Sequence, residues 1–199
     1  MKHIIKPAIT LFVAAAIAAV SLGLVYEALK GPTEINQRKA RELLFRQIFP
    51  GDNFAFEEIY VRDTAAPAEV AGIPAGIRRI FAVRESGKQV GYVVEVVNSR
   101  GYGGELTLMV GFSLAENRIA GLRVLSHKES PGFGNVISRP AFGDRFRGLG
   151  IAPFRVVRDR PNAADEFQAI SRSTITTNAV IGAVNEAVSW FENNAGRDR

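Results

Sequence analysis

Residues 101–134 read GYGGELTLMVGFSLAENRIAGLRVLSHKESPGFG, and they carry the pattern of paired strands followed by a tight loop. From Glu105 to Ser113 the side chains alternate in the manner of a half-buried strand, Ala115-Glu116-Asn117 is a turn, and Ile119 to Ser126 reads as the returning partner. Toward the N-terminus, Gln89 to Val97 holds the β-branched run VGYVVEVV, and Ile77 to Arg84 precedes it across Ser86-Gly87, a hairpin turn. Phe54 to Val61 predicts one more strand, joined to the rest by a Pro/Ala/Gly-rich connection from Asp63 to Gly76. Consecutive strands with short turns predict an antiparallel meander.

Beyond Gly134, the sequence predicts a short helix around Arg139 to Phe146 and a strand from Phe154 to Arg158. The last segment, TTNAVIGAVNEAVSWF, sets Ala179, Val180, Ala183, Val184, Ala187, Val188 and Phe191 on one continuous stripe. It predicts a packed helix that Thr176, Thr177 or Asn178 can cap.

The N-terminal part is different in kind. No charge interrupts the run from Ala8 to Tyr26, which at 1.5 Å per residue approaches the roughly 30 Å hydrocarbon core of a bilayer. Lys2 and Lys6 precede it and, by the positive-inside rule, keep residues 1–7 cytoplasmic, with 8–26 as a transmembrane helix. Gly31-Pro32 is expected to stop that helix and Thr33 to cap a second one, so that 27–50 forms a connecting amphipathic helix with Ile35, Ala40, Leu43, Leu44 and Ile48 against the domain. Residues 51–199 are then an exported domain, and the predicted fold class is α+β, one membrane helix followed by an antiparallel sheet with packed helices. A cleaved secretory signal is the alternative for the apolar run, and it exports the same domain.

Composition removes most other chemistry. The 199-residue chain has no cysteine and only two histidines, His3 and His127. Disulfides, thiolate metal sites, cysteine-held iron–sulfur clusters, c-type haem and a histidine-clustered metal site are excluded or disfavoured. There is no G-x-S-x-G, so a serine hydrolase has no support. The net charge of +5 comes from scattered Lys and Arg, which reads as a solvated surface attracted to anionic lipid and not as a nucleic-acid site.

Two segments remain as candidates for binding. His127-Lys128-Glu129-Ser130-Pro131-Gly132-Phe133-Gly134 follows a strand; its Pro and Gly residues make a tight loop whose backbone can approach a flat ligand, with Phe133 against an aromatic ring and His127 and Glu129 at the strand end. The plainer reading is a strand-to-helix connection with solvated His and Glu. Ser171-Arg172-Ser173-Thr174-Ile175-Thr176-Thr177-Asn178 leads into the terminal helix, where free backbone N–H groups and the helix dipole favour phosphate and Arg172 can add a bidentate contact. Its plainer reading is an extended N-cap. Gly101-Tyr102-Gly103-Gly104 lacks the spacing of a dinucleotide fingerprint and by itself is a turn.

Taken in order, these segments resemble the G subunits of the Rnf (Rsx) electron transport complex, whose usual form is GYGG, a strand pair, H-x-E-T-P-G-L-G, and later S-G-A-T-I-T-S. Here Ser130 replaces Thr and Phe133 replaces Leu, while Arg172 and Ser173 replace Gly and Ala, and Gln168 stands where an acidic residue is common. The resemblance implies an FMN-binding domain in which Thr174 carries FMN through a phosphoester. By position, Ser171, Thr176 and Thr177 are expected at the phosphate, and His127, Glu129, Pro131, Gly132, Phe133 and Gly134 along the isoalloxazine. It further implies an electron relay, with no catalytic or metal-ligating residue of its own, in a ferredoxin:NAD oxidoreductase coupled to ion translocation. The expected partners are the membrane and iron–sulfur subunits, a flavin transferase during maturation and membrane lipid, and the expected place is the bacterial inner membrane, single-pass, with the domain outside the cytoplasm. Alternatives are a flavin-free structural component of the same complex, the C subunit of a sodium-pumping NADH:quinone oxidoreductase, and an exported ligand-binding module without redox function.

Overall fold

The computed structural model describes residues 2–62 and 72–195; within the first helix it describes side chains at 9–25 and from 38 onward. Most of the connection from Asp63 to Gly76, and the side chains of Lys2, Lys6, Tyr26 and Ile35, lie outside the described residues.

Five strands, β1 (Phe54–Val61), β2 (Ile77–Glu85), β3 (Lys88–Gly101), β4 (Gly104–Ser113) and β5 (Arg118–His127), form one antiparallel sheet in sequence order, the expected meander. Ser86 and Gly87, at φ +50° and +82°, make the β2–β3 hairpin turn with two left-handed residues, which matches the twist of the strands.

Burial of β4 departs from the half-buried expectation: Leu106 to Phe112 is buried without a break. Both faces of the sheet are covered. Val94, Val96, Leu108, Val110 and Phe112 pack under the terminal helix, residues Thr174–Ala195, against Val180, Val184 and Val188, and Phe112 stacks on Phe191 at 4.6 Å. On the other face Phe81, Val83, Val93 and Met109 meet Phe45, Ile48 and Phe49. A methyl of Ile48 occupies the space where a Cβ on Gly111 would stand, so glycine there sets how closely Ile48 can dock.

The first helix, α1 (Lys2–Ile48), is unbroken, and Gly31-Pro32 does not stop it as expected. A proline inside a helix removes one N–H bond and crowds one carbonyl, a local cost of about 3 kcal/mol that leaves the bonds of the turns on either side in place. The helix ends before Pro50-Gly51, where Arg147 donates to the carbonyls of Gln47 at 3.0 Å and Ile48 at 3.3 Å, two of the acceptors a helix C-terminus leaves open. The docked stripe is Phe45, Ile48 and Phe49 with Leu44 partly buried, whereas Leu43 is exposed.

The chain divides into two compact units, Met1–Glu42 and Leu43–Arg199. In the first, Ile9, Leu11, Phe12, Ile17, Val20, Leu22 and Leu24 are all exposed. Among the described residues no helix is long and apolar enough to cross a membrane. In the second, Ile48 belongs to the core, so Ile48→Val is expected to cost about 1 kcal/mol, measured as a lower denaturation midpoint with no change in slope.

After β5 come a 3-10 helix (Gly134–Ser138), the short α2 (Pro140–Asp144) and two strands, β6 (Arg155–Val157) and β7 (Glu166–Gln168), paired in parallel. β7 has no sequence signature, because three residues with a single apolar position are too few to set a period. Its Phe167 is buried, stacked on Phe146 at 4.3 Å, with the Arg145 guanidinium 4.1 Å from its ring centre. Burial lowers the pKa of Arg145 by desolvation. The terminal helix, α3 (Thr174–Ala195), is fixed beside them by Asn185, which accepts from the N–H of Phe154 and donates to its carbonyl, both at 2.8 Å.

Candidate functional site

The end of β5, the turn between β3 and β4 and the start of α3 meet at one place. Glu129 is the residue that joins them. Its carboxylate accepts from the Thr176 hydroxyl at 2.8 Å and from the N–H of Gly103 at 3.2 Å, and the group is almost fully buried. Its own N–H donates to His127 Nδ1 at 3.1 Å, which leaves the proton of a neutral imidazole on Nε2.

This bonding explains the glycines. A Cβ on Gly134 would collide with the Glu129 carboxylate and the Thr176 hydroxyl, and one on Gly103 would run into the Lys128 carbonyl. Gly101 likewise lies against Glu129. The glycines of both motifs therefore bring backbone against the Glu129 strand end, where sequence reasoning expects close approach to a flat ligand. Gly132, at φ +81°, serves the turn itself, with its N–H on Asn135 Oδ1 at 3.0 Å.

The start of α3 is built by hydroxyls. Thr177 is fully buried; its Oγ1 donates to the Ser173 carbonyl at 2.9 Å and accepts the N–H of Ile170 at 3.0 Å, and its N–H also bonds the Ser173 carbonyl. Thr174 is the first residue of the helix and half-buried. The N–H groups of Thr174, Ile175 and Thr176 have no helical carbonyl behind them. Arg172, where the resembled motif has Gly, sits at φ +62°, in the left-handed region that glycine enters at no steric cost. Arg172→Gly is accordingly expected to raise stability by about 0.5–1 kcal/mol, read as a higher thermal midpoint.

Between these elements lies a cavity of about 530 Å³, lined by Tyr102, Glu129, Ser130, Phe133, Gly134, Arg172, Ser173, Thr174, Ile175 and Thr176. The volume is in the range of small-ligand and cofactor sites. Of the residues singled out in the sequence, Thr174, Thr176, Glu129, Phe133 and Gly134 are on its wall. His127, Pro131, Gly132, Ser171 and Thr177 are not. His127 shapes the loop through Glu129, Thr177 locks the turn before the helix, and Ser171, Pro131 and Gly132 face solvent. Sequence reasoning does not reach Tyr102, Ser130 or Ile175 as wall residues. The signal that could have found two of them is a large apolar side chain in a glycine-flanked or helix-start position, since Tyr102, Phe133 and Ile175 are each more than half exposed.

The donor set suits an aromatic ligand that ends in a phosphate. Exposed Phe133, Tyr102 and Ile175 offer apolar wall to a ring, and the helix start with Thr174 and Arg172 offers hydroxyl, N–H groups and positive charge to an anion. Residues 101–189, which contain every wall residue, match the FMN-binding domain family.

Over nearly its full length the chain has named relatives. It is 30% identical over 195 residues, 98% of this chain and 98% of the relative, to the G subunit of the ion-translocating oxidoreductase complex of Methanosarcina acetivorans. It is 29% identical over 196 residues, 96% of this chain and 93% of the relative, to the G subunit of the Na(+)-translocating ferredoxin:NAD(+) oxidoreductase complex of Acetobacterium woodii. Among solved structures it is similar to the C subunit of the Na(+)-translocating NADH-quinone reductase of Parabacteroides distasonis, at 25% identity and a TM-score of 0.49 over 57% of this chain and 60% of that one. The chain belongs to the family of G subunits of the Rnf-type ion-translocating oxidoreductase complexes.

Proposed function

We propose that this chain is a membrane-anchored flavoprotein component of an ion-translocating ferredoxin:NAD oxidoreductase, relaying electrons through FMN held as a phosphoester on Thr174. The observation that carries this reading is the single cavity walled by all three motif segments, with Thr174 at the first residue of α3. Bound FMN supplies one- and two-electron chemistry. The protein's part is to place and shield it. Phe133, Tyr102 and Ile175 provide apolar wall for the ring, Glu129 holds the three segments in register, and the free N–H groups at the helix start accommodate a phosphate.

The anchor rests on the uncharged run from Ala8 to Tyr26, whose two ends lie outside the described side chains, on the exposed apolar side chains between Ile9 and Val25, and on the two lysines that precede the run. With that orientation the domain from Leu43 onward lies outside the cytoplasm, in contact with lipid and with the membrane and iron–sulfur subunits of the complex. A flavin transferase is the partner during maturation.

A phosphoester survives denaturation, so the test is flavin fluorescence, or an FMN mass increment, on the denatured full chain from a host with flavin transferase. Fluorescence on the denatured band is expected. A colourless chain inside an active purified complex would instead identify a flavin-free structural component.

A further inference from the structure

We propose that Arg172 is the phosphate-recognition residue of this site, and that it makes the chain select FMN over riboflavin by charge even when no ester is present. The inference rests on the cavity being the FMN site. Three observations lead to it. Arg172 holds a left-handed backbone that glycine would adopt without strain, so the side chain is kept at a conformational cost. It lies on the cavity wall and is exposed, and among the described residues it has no ion-pair partner. The one carboxylate on that wall, Glu129, is already engaged by Thr176 and Gly103.

The charge is therefore uncommitted, and it sits next to the Thr174, Ile175 and Thr176 N–H groups that have no helical acceptor. A phosphate at the helix start takes N–H donors from the backbone and a charge-assisted, bidentate contact from a guanidinium. A ribityl hydroxyl gains neither to the same degree. The remaining exposed wall residues, Tyr102, Phe133 and Ile175, are blind to charge, so Arg172 is the side chain that adds to the preference of the helix-start N–H groups for the phosphorylated flavin.

The test uses the full chain in detergent, purified without flavin from a host lacking flavin transferase and titrated with FMN and with riboflavin by fluorescence quenching. The native chain is expected to bind FMN more tightly than riboflavin. Arg172→Gly is expected to weaken FMN binding about ten- to a hundredfold, the range of a lost charge-assisted bond, while leaving riboflavin affinity unchanged. Arg172→Lys should recover part of the difference, and raising salt should erode the native preference. Equal loss for both flavins in Arg172→Gly would overturn the assignment and mark a structural role, as would unchanged FMN affinity. A native chain that binds neither flavin here, yet carries FMN on its denatured band when made with the transferase, would also overturn it while leaving the proposed function standing. Absence of both signals would instead remove the FMN site itself.

Discussion

Thr174→Val, made in a host with flavin transferase, is expected to show no flavin fluorescence on the denatured band, while Thr176→Val keeps it. The two threonines are two residues apart on one helix, and the structure separates them by environment. Thr174 is half-buried on the cavity wall at the helix start. Thr176 is almost wholly buried, with its hydroxyl donated to Glu129, and Thr177 is fully buried with its hydroxyl bonded to the turn before the helix. Of these three threonines, Thr174 alone is neither buried nor bonded through its hydroxyl to the fold, which is why the ester is expected there. Valine is nearly isosteric with threonine, so the loss is chemical: thermal midpoints of Thr174→Val and the native chain without flavin should agree within the equivalent of about 0.5 kcal/mol. Retained fluorescence in Thr174→Val with loss in Thr176→Val would move the ester to Thr176.

Glu129→Ala carries the second large effect. The substitution orphans a buried hydroxyl and a backbone N–H and leaves a void where three chain segments meet. Each unsatisfied group costs about 1–3 kcal/mol, so a total of about 3–5 kcal/mol is expected, or roughly 10 °C in thermal midpoint for a domain of this size. Glu129→Gln keeps one acceptor for Gly103 and turns an amide toward Thr176, whose hydroxyl can accept, and should retain most of the stability. If Glu129→Ala melted like the native chain, Glu129 would not be what holds the site together.

The meander was legible because its strands alternate and its turns carry their own chemistry. Ser86-Gly87 takes the left-handed conformations that a tight hairpin needs. α3 was legible from its stripe of Ala and Val. What local pattern misled was the middle of α1, where Gly31-Pro32 reads as a stop although the loss is local to one bond. β7 was invisible, because three residues become a strand only when Arg155 to Val157 lies beside them and Phe167 finds the ring of Phe146.

The site divides along the same line. Motif order indicated that the loop after β5 and the start of α3 belong together, but residue types could not sort the threonines, since a hydroxyl reads the same in either setting. Spacing along the chain was enough for the strand order and the terminal helix, because each is a local or ordered pattern, and the motifs carried the family resemblance, which in turn implies Thr174 as the residue that holds the cofactor. Which hydroxyls are spent on the fold emerged only from packing. Packing also made Glu129 the clasp, drew the motif glycines against it, and left Arg172 as an uncommitted charge on the wall. Those distinctions depend on burial and on hydrogen-bond partners that lie 26 and 47 residues apart in sequence and meet only when the sheet and α3 pack.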